Sequence, residues 1–402
     1  MGIAESPTAT LTEAAGQPET FYPPAPPRER IASVDALRGF DMIWIVGASE
    51  VVHALQQIGR GRGVLGFLER ELTHSQWQGC TFYDLIFPLF VFLVGLSIVL
   101  SLPRVVEREG RRAARLRVLR RFVLLFVLGI IVNGGLSARW PEVRLMGVLQ
   151  RIALCYLFTS LLFLQLRPCG LFGAFAVLMI GYWALLTFVP APGQLAASFA
   201  PGKNLANWVD WRFLPGLRYY AAWDPEGILS TAPAVASCLL GVFAGMVLTN
   251  VGATRRVAQG EPPARPYPAQ RVRVLIIGGA AMVAAGYLWG LQFPVVKEIW
   301  TSSFVLVAGG YSSALLGLLY YVVDVKGHRS WAQPFVWVGA NAITIYLIAE
   351  VVPFGGIAQR FVGGSVEQVL GRYGEMMIAA VSLGLVIALA WFMYRRRVFL
   401  RL

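Results

Sequence analysis

One histidine and one nearby acid have residue types and a spacing suited to acid–base chemistry. His74 lies in the polar stretch THSQWQG, and Asp84 follows within an apolar run that continues to residue 102. An imidazole, with an ordinary pKa of about 6.5, accepts a proton at physiological pH, and a carboxylate can orient the ring and stabilise the imidazolium. His74 is therefore a candidate base at the mouth of a buried helix, and an exposed loop histidine without a chemical role is the alternative. Asp84, Glu50 and Asp41 are its alternative partners.

Other polar and aromatic side chains lie within or beside apolar runs, where acids usually line a cavity or a pathway. The candidates for substrate contact are Asp41, Ser49, Glu50, Trp77, Arg151, Asp224, Glu226, Trp300 and Asn341. Acids accept hydrogen bonds from hydroxyl groups and aromatic rings stack on sugar faces, so this set suits a sugar or another polyol. As alternatives, the tryptophans fit an interfacial aromatic belt and Arg151 fits a side chain that extends to the membrane surface.

Membrane-spanning helices must position these residues. The chain is 56% hydrophobic and 14% charged, whereas soluble domains are about 25% charged. A span needs about 20 apolar residues, and ten segments qualify: 33–55, 81–102, 120–137, 146–166, 170–190, 230–251, 273–292, 303–324, 332–352 and 374–394. The sequence predicts an all-α polytopic membrane protein with about ten transmembrane helices.

The distribution of Lys and Arg predicts the orientation. Most of the 35 basic residues fall in alternate loops, above all in segment 103–119, and such loops face the cytoplasm. Both termini are therefore expected in the cytoplasm, with His74 and loops 191–229 and 353–373 outside. The net charge of +13 follows from this bias and does not indicate nucleic-acid binding.

The ends of the chain and the cysteines complete the outline. Residues 1–27 are polar and rich in Pro, Ala, Thr and Glu, which predicts a disordered cytoplasmic tail without a signal peptide. Residues 28–402 are expected to form one transmembrane domain, for which the motifs described next imply an acyltransferase function. The four cysteines are scattered with no CxxC pair, so neither a disulfide framework nor a metal site is expected.

Six stretches resemble the heparan-alpha-glucosaminide N-acetyltransferase family of transmembrane acetyltransferases and its bacterial relatives. They are SVDALRGFDM (33–42), HSQWQG with TFYDLIFPLFVFLVGLSI (74–98), GVLQRIALCY (147–156), DPEGILSTAPA (224–234), KEIWTSSFVL (297–306) and GANAITIYL (339–347). The resemblance implies acetyl-CoA as the donor on the cytoplasmic side and the amine of a glucosamine-type sugar as the acceptor outside. It also implies that His74, within H-x-x-W-x-G, is the catalytic residue.

The resemblance further directs attention to the donor. Arg30, Asp35 and Arg38 are the candidates for binding acetyl-CoA, and Asp35 and Arg38 are spaced to pair on one helix face. In this resemblance Ser49 stands where the animal enzyme has Asn. The residue that donates a hydrogen bond to the thioester oxygen could therefore be Ser49, Asn133 or Asn341, and Asn341 is favoured. Expected partners are an amino sugar, the lipid bilayer of a bacterial inner membrane and a second copy of the chain, with no nucleic acid.

Two other functions fit parts of the pattern. A ten-span transporter for N-acetylglucosamine or a related sugar would also need intramembrane acids, although no inverted repeat of interrupted helices is apparent. An O-acyltransferase of a surface glycan would also have a D-x-x-R-G motif near its first span. His74 at the outer mouth favours the N-acetyltransferase.

Overall fold

The computed structural model describes residues 31–59, 63–135, 137, 139–249 and 268–399. The predicted tail and Arg30 lie outside these residues. The regular structure of the described residues is helical, and one isolated β-bridge joins Arg144 to Gly216. The all-α fold is thus confirmed.

Fourteen α-helices are found in the described ranges, numbered here in chain order. They are α1 (Ala32–Gly59), α2 (Gly63–Glu71), α3 (Ile86–Val132), α4 (Val148–Gln165), α5 (Pro168–Phe188), α6 (Leu205–Phe213), α7 (Thr231–Thr249), α8 (Pro268–Gly290), α9 (Ser302–Leu319), α10 (Gln333–Ala340), α11 (Ala342–Val351), α12 (Phe354–Val362), α13 (Ser365–Leu370) and α14 (Gly374–Arg395). A turn of π-helix, Tyr320–Val325, continues α9.

Helix length and hydropathy identify a multi-pass membrane protein. Seven helical segments of the described chain are long and apolar enough to cross a bilayer, or eight if the bent pair α10–α11 forms one span. Helix α1 is 28 residues long, but its charged and amide side chains make it less apolar than these seven.

Helix α3 is broken at Gly110, whose φ of 82° is not helical. A straight helix of its 47 residues would be about 70 Å long, more than twice the hydrocarbon core of a bilayer. Arg117 bonds to Glu109 at 2.9 Å across the break, although eight residues in a straight helix rise about 12 Å. The chain therefore turns back at Gly110, between the predicted second and third spans. Segment 103–119, expected as a loop, is helical on both sides of Gly110 because Arg, Glu, Leu and Ala favour helix.

Small residues allow the helices around the site to approach closely. A Cβ atom added at Gly95 of α3 would overlap the carbonyl of Cys238 on α7, and one at Gly241 would overlap the carbonyl of Phe92. Such small-residue contacts are typical of helix packing in membranes. They hold α3 against α7 along the first half and centre of α7. Asp84 lies two residues before the start of α3.

The predicted span 332–352 is two helices bent by 78°. Asn341 lies at the bend with φ −127° and ψ 30°, and its side-chain amide donates to the carbonyl of Val398 at 3.1 Å. Asn favours such side-chain to backbone bonds over a continuous helix, so the single predicted segment becomes a broken one.

Candidate active site

Asp84 organises the loop that carries His74. The carboxylate is fully buried; its Oδ1 atom lies 2.8 Å from Nδ1 of His74. Its Oδ2 atom accepts bonds from the backbone N–H groups of Ser75 and Thr81, each at 3.1 Å. One carboxylate therefore fixes both the fold of loop 73–81 and the orientation of the imidazole.

This contact selects a protonation pattern for His74. A carboxylate accepts, so in this contact Nδ1 donates its proton to Asp84 and Nε2 carries the lone pair. The ring of Tyr83 stacks on the imidazole with centroids 4.6 Å apart. The His74 side chain is 47% exposed. The imidazole is therefore accessible on one side and bonded to a buried carboxylate on the other.

Lys297 completes a three-residue cluster that the sequence analysis did not single out. Its ammonium lies 2.9 Å from Nδ1 and 3.2 Å from Nε2 of His74, and 3.6 Å from Oδ1 of Asp84. With Nδ1 donating to Asp84, Nε2 is the ring nitrogen that can accept from this ammonium. Lys297 belongs to the KEIWTSS segment between α8 and α9, in which the Thr301 side chain caps α9. The available signal was a cation in a polar patch at a helix mouth.

Glu298, next to Lys297, is a second residue that sequence reasoning passed over. It is only 8% exposed, and its Oε2 atom has no hydrogen-bond partner among the described residues. Burial raises the pKa of this carboxyl group, while the charges of Lys297 and His74 oppose that rise. The side chain thus lies beside the histidine cluster with an unused acceptor.

An aromatic wall borders the cluster, consisting of Trp77, Tyr219, Tyr220 and Trp223. The ring centroids of neighbouring members are 4.8 to 5.8 Å apart, and Tyr219 is 63% exposed. Trp300, predicted to contact substrate, is buried elsewhere, against Phe87 and with its indole N–H bonded to Ser237. The wall therefore comes from loop 73–81 and from segment 219–223.

Arg144 holds the two acids of the DPEG segment. Its guanidinium donates to Asp224 at 2.8 and 2.6 Å and to Glu226 at 2.5 Å. Burial alone would raise the pKa of Asp224, but the bonds from Arg144 outweigh it and keep that pKa below its ordinary value. Both predicted substrate-binding acids are thus engaged by a cation, and their direct contact with substrate stays a prediction.

Arg151 lies beneath this segment and is fully buried. It donates to the carbonyls of Pro225 and Gly227 and to the hydroxyl of Ser230, and it lies over the ring of Trp300. The alternative that Arg151 extends to the membrane surface is therefore wrong. Its contacts fix the entry into α7.

The predicted donor-binding residues lie apart from His74. Arg38 bonds to Asp35 at 3.2 Å and to Ser97 at 2.5 Å, and Ser97 follows Asp84 by thirteen residues of helix, about 20 Å. Asn341 also lies far from His74. Asn341 contacts Val398, which follows the C-terminal end of α14. The N-terminal end of α14 lies on the His74 side of the bundle, where Glu375 pairs with His53.

The remaining candidates occupy α1. Asp41 is fully buried, and neither carboxylate oxygen has a partner within the described chain. Glu50 lies against Gly355 in the first turn of α12. Ser49 is at a helical position, but its side chain is outside the described part of the structure. None of the three is among the contacts of His74 given above.

The Cys80 thiol near the site is not activated as a nucleophile. Burial, aided by Asp84 and Glu71, raises the pKa of the Cys80 thiol to about 12, so it stays protonated near neutral pH and is a poor nucleophile. Among the described residues, no group of three His, Cys, Asp or Glu side chains could hold a metal ion.

Fold and site together define a helical, multi-pass membrane protein with a histidine–carboxylate–lysine cluster at one mouth of its bundle. Residues 30–284 match the family model described as heparan-alpha-glucosaminide N-acetyltransferase, catalytic. The chain belongs to this family, which confirms the resemblance seen in its motifs. It is also 29% identical to the heparan-alpha-glucosaminide N-acetyltransferases of Homo sapiens, over 397 residues, and Mus musculus, over 396 residues.

These alignments cover 83% and 84% of this chain but 55% of each relative. The chain thus spans about half the length of the curated relatives it matches. The family's name describes an acetyl transfer to a glucosaminide amine, a reaction that needs a base beside an accessible acceptor site.

Proposed function

We propose that this protein is a transmembrane N-acetyltransferase that moves the acetyl group of acetyl-CoA to the amine of a glucosamine-type sugar. The observation that carries the proposal is the His74–Asp84 contact, which orients the imidazole with Nε2 on the side away from Asp84, in a side chain that is 47% exposed at one mouth of the bundle. Membership of the acetyltransferase family supports the same reaction.

The proposed chemistry uses His74 as the proton acceptor. An amine attacks only when neutral, so an incoming ammonium first gives one proton through Nε2 to solvent. The C–N bond then forms as the C–S bond breaks, and the N–H proton that is displaced passes through Nε2 to the departing sulfur. Asp84 stabilises the intervening imidazolium because it accepts the Nδ1 proton at 2.8 Å.

Lys297 is the proposed donor to the oxygen of the tetrahedral intermediate. Its ammonium lies about 3 Å from both ring nitrogens, so a carbonyl attacked beside Nε2 would be within its reach. A fixed cation at a developing oxyanion is a strong catalytic element in a dry site. Lys297 suits this role better than Asn341, which bonds to Val398 near the other end of α14.

Donor access is proposed from the cytoplasmic side, as the resemblance implies. In this arrangement the chain crosses a bacterial inner membrane ten times, counting α1, the two halves of α3 and the bent pair α10–α11, with both termini inside. The first amides of α1 are taken by Asp324 at 3.1 and 3.0 Å. The CoA phosphates are therefore assigned to Arg38 and the exposed arginines of segment 104–121.

One assay separates the enzyme from a transporter. The protein in liposomes receives labelled acetyl-CoA and glucosamine, and both N-acetylglucosamine formation and uptake of the free sugar are measured. We expect a labelled amide with wild type, about a thousandfold less with His74→Ala, and no net sugar uptake. Uptake without amide formation would favour the transporter, and an ester product would favour the O-acyltransferase.

The same preparation distinguishes two routes of transfer. If label from acetyl-CoA stays on the protein in the absence of acceptor and is lost from His74→Ala, an acetyl-histidine intermediate forms. If no label stays bound while the amide forms, transfer is direct within a ternary complex.

A further inference from the structure

The described charged side chains at the histidine cluster and at the DPEG segment pair with one another. Asp84 faces His74 and Lys297, and Arg144 holds Asp224 and Glu226. Glu298 is buried in the same region, yet its Oε2 atom has no hydrogen-bond partner in the described chain. A buried, unpartnered carboxylate oxygen is costly for folding, so this atom is a candidate to bind something that is not part of the chain.

Glu298 lies within electrostatic reach of both the proposed base and the aromatic wall. Lys297 precedes it directly, and the charges of His74 and Asp84 act on it. On the other side, Glu298 interacts electrostatically with Tyr220 of the wall and with Asp224. Because Glu298 directly follows Lys297, which contacts both ring nitrogens of His74, a molecule that bonds to Glu298 lies in the same region as the proposed base.

Building on the N-acetyltransferase function proposed above, we propose that Glu298 is the acceptor-positioning residue. It receives the ammonium group of an amino sugar whose ring packs on Tyr219, Tyr220 and Trp223. Ammonium–carboxylate pairs are charge-assisted and stronger than neutral hydrogen bonds. One ammonium N–H bonds to Oε2 of Glu298 while another faces Nε2 of His74, which takes the proton and leaves a neutral, oriented amine.

The same arrangement selects the charge of the acceptor. Asp84, Asp224, Glu226 and Glu298 lie around this subsite, and the first three already use the nearby cations. A sulfate or phosphate on the sugar would bring a further anion towards these carboxylates, and like charges in a partly buried site repel. The subsite therefore favours an amino sugar that carries no anionic group.

Binding measurements test Glu298 independently of turnover. Titration calorimetry on the full chain in nanodiscs compares glucosamine with N-acetylglucosamine, which has no ammonium. For Glu298→Gln we expect the affinity for glucosamine to fall about tenfold, as for the loss of a charged hydrogen bond, with the affinity for N-acetylglucosamine unchanged. That unchanged affinity also reports a folded site. Equal affinities of wild type and Glu298→Gln for glucosamine would overturn the proposal.

Two further variants sharpen the comparison. Glu298→Asp keeps the charge and should restore part of the glucosamine affinity. Glu109→Gln removes a carboxylate that bonds to Arg117 at the Gly110 turn, far from the subsite, and should bind both sugars as wild type does. A Glu298→Asp variant as weak as Glu298→Gln, together with weakened N-acetylglucosamine binding in both, would indicate a structural role and overturn the proposal.

Kinetics then test the selectivity. Wild type should acetylate glucosamine with a higher kcat/KM than glucosamine 6-phosphate. Glu298→Gln should raise KM for glucosamine more than it lowers kcat. It should also reduce the ratio of the two kcat/KM values, glucosamine over glucosamine 6-phosphate. An unchanged ratio would overturn the selectivity. If wild type acetylates neither sugar but the ammonium-dependent binding difference remains, the enzyme function fails while the role of Glu298 in amine binding stands.

Discussion

The ammonium of Lys297 lies 2.9 Å from Nδ1 of His74, although 223 residues separate the two in the chain. The contact joins the loop before α3 to the loop before α9. The loops are also tied by the N–H of Gly79, which donates to the carbonyl of Val295 at 2.9 Å. A cation and a base are thus held together by two separate backbone segments, which favours a preorganised site over a contact made only when substrate binds.

Lys297→Met should lower kcat about a hundredfold or more, the typical cost of losing one oxyanion donor. Because Lys297 is assigned to the intermediate rather than to substrate binding, KM for glucosamine should change little. Lys297→Arg, which keeps the cation, should recover part of the rate. Steady-state kinetics of the three proteins check this, and a loss confined to KM would contradict the oxyanion role.

Asp84→Asn should reduce kcat by a factor of about a thousand to ten thousand, as in other histidine–carboxylate pairs. An amide can donate to Nδ1 and so favour the wrong tautomer, and it cannot neutralise an imidazolium. Its oxygen can still accept from Ser75 and Thr81, so the loop should stay folded. A control with Glu109→Gln should keep wild-type activity. Activity above a tenth of wild type in Asp84→Asn would exclude the proposed partnership.

Arg144→Met should destabilise the protein by several kcal/mol, because Asp224 and Glu226 would be left buried without their cation. Thermal unfolding in nanodiscs measures the loss. The triple variant Arg144→Met, Asp224→Asn, Glu226→Gln removes the acids as well and should recover much of the stability. If the triple variant is as unstable as Arg144→Met, packing by the arginine rather than charge pairing stabilises this segment.

Much of the outline was accessible from the sequence because it depends on local pattern. Apolar length gave the helices, and the short spacing between His74 and Asp84 allowed their pairing to be considered. Lys297 was missed because its partner is distant in the chain, and hydropathy carries no information on which loops meet. Asn341 was favoured because of its motif, but a motif does not say at which end of a bundle a residue lies.

Close helix contacts are similarly invisible to hydropathy and give a prediction of their own. Gly95→Ala should destabilise the fold, because the added Cβ would overlap the carbonyl of Cys238 on α7. Gly173→Ala on α5 is the matched control, since a Cβ there meets no atom within 4 Å and Ala has the higher helix propensity. Melting temperatures should fall for the first variant and not for the second. Equal melting temperatures would show that α3 and α7 can separate at no cost.

Asp210 should make stability depend on pH in the acid range. It lies on α6, nearly buried, and accepts from the backbone N–H of Ile228 at 2.8 Å; burial raises its pKa from 3.8 to about 6. Between these values the folded state binds more protons than the unfolded state, so the contribution of Asp210 is greatest below pH 3.8. This stabilisation, up to roughly 3 kcal/mol, is lost as the pH rises through about 6.

Asp210→Asn cannot ionise and should show a smaller drop in melting temperature between pH 5 and pH 7.5 than wild type. Identical drops in the two proteins would mean that Asp210 does not titrate in this window.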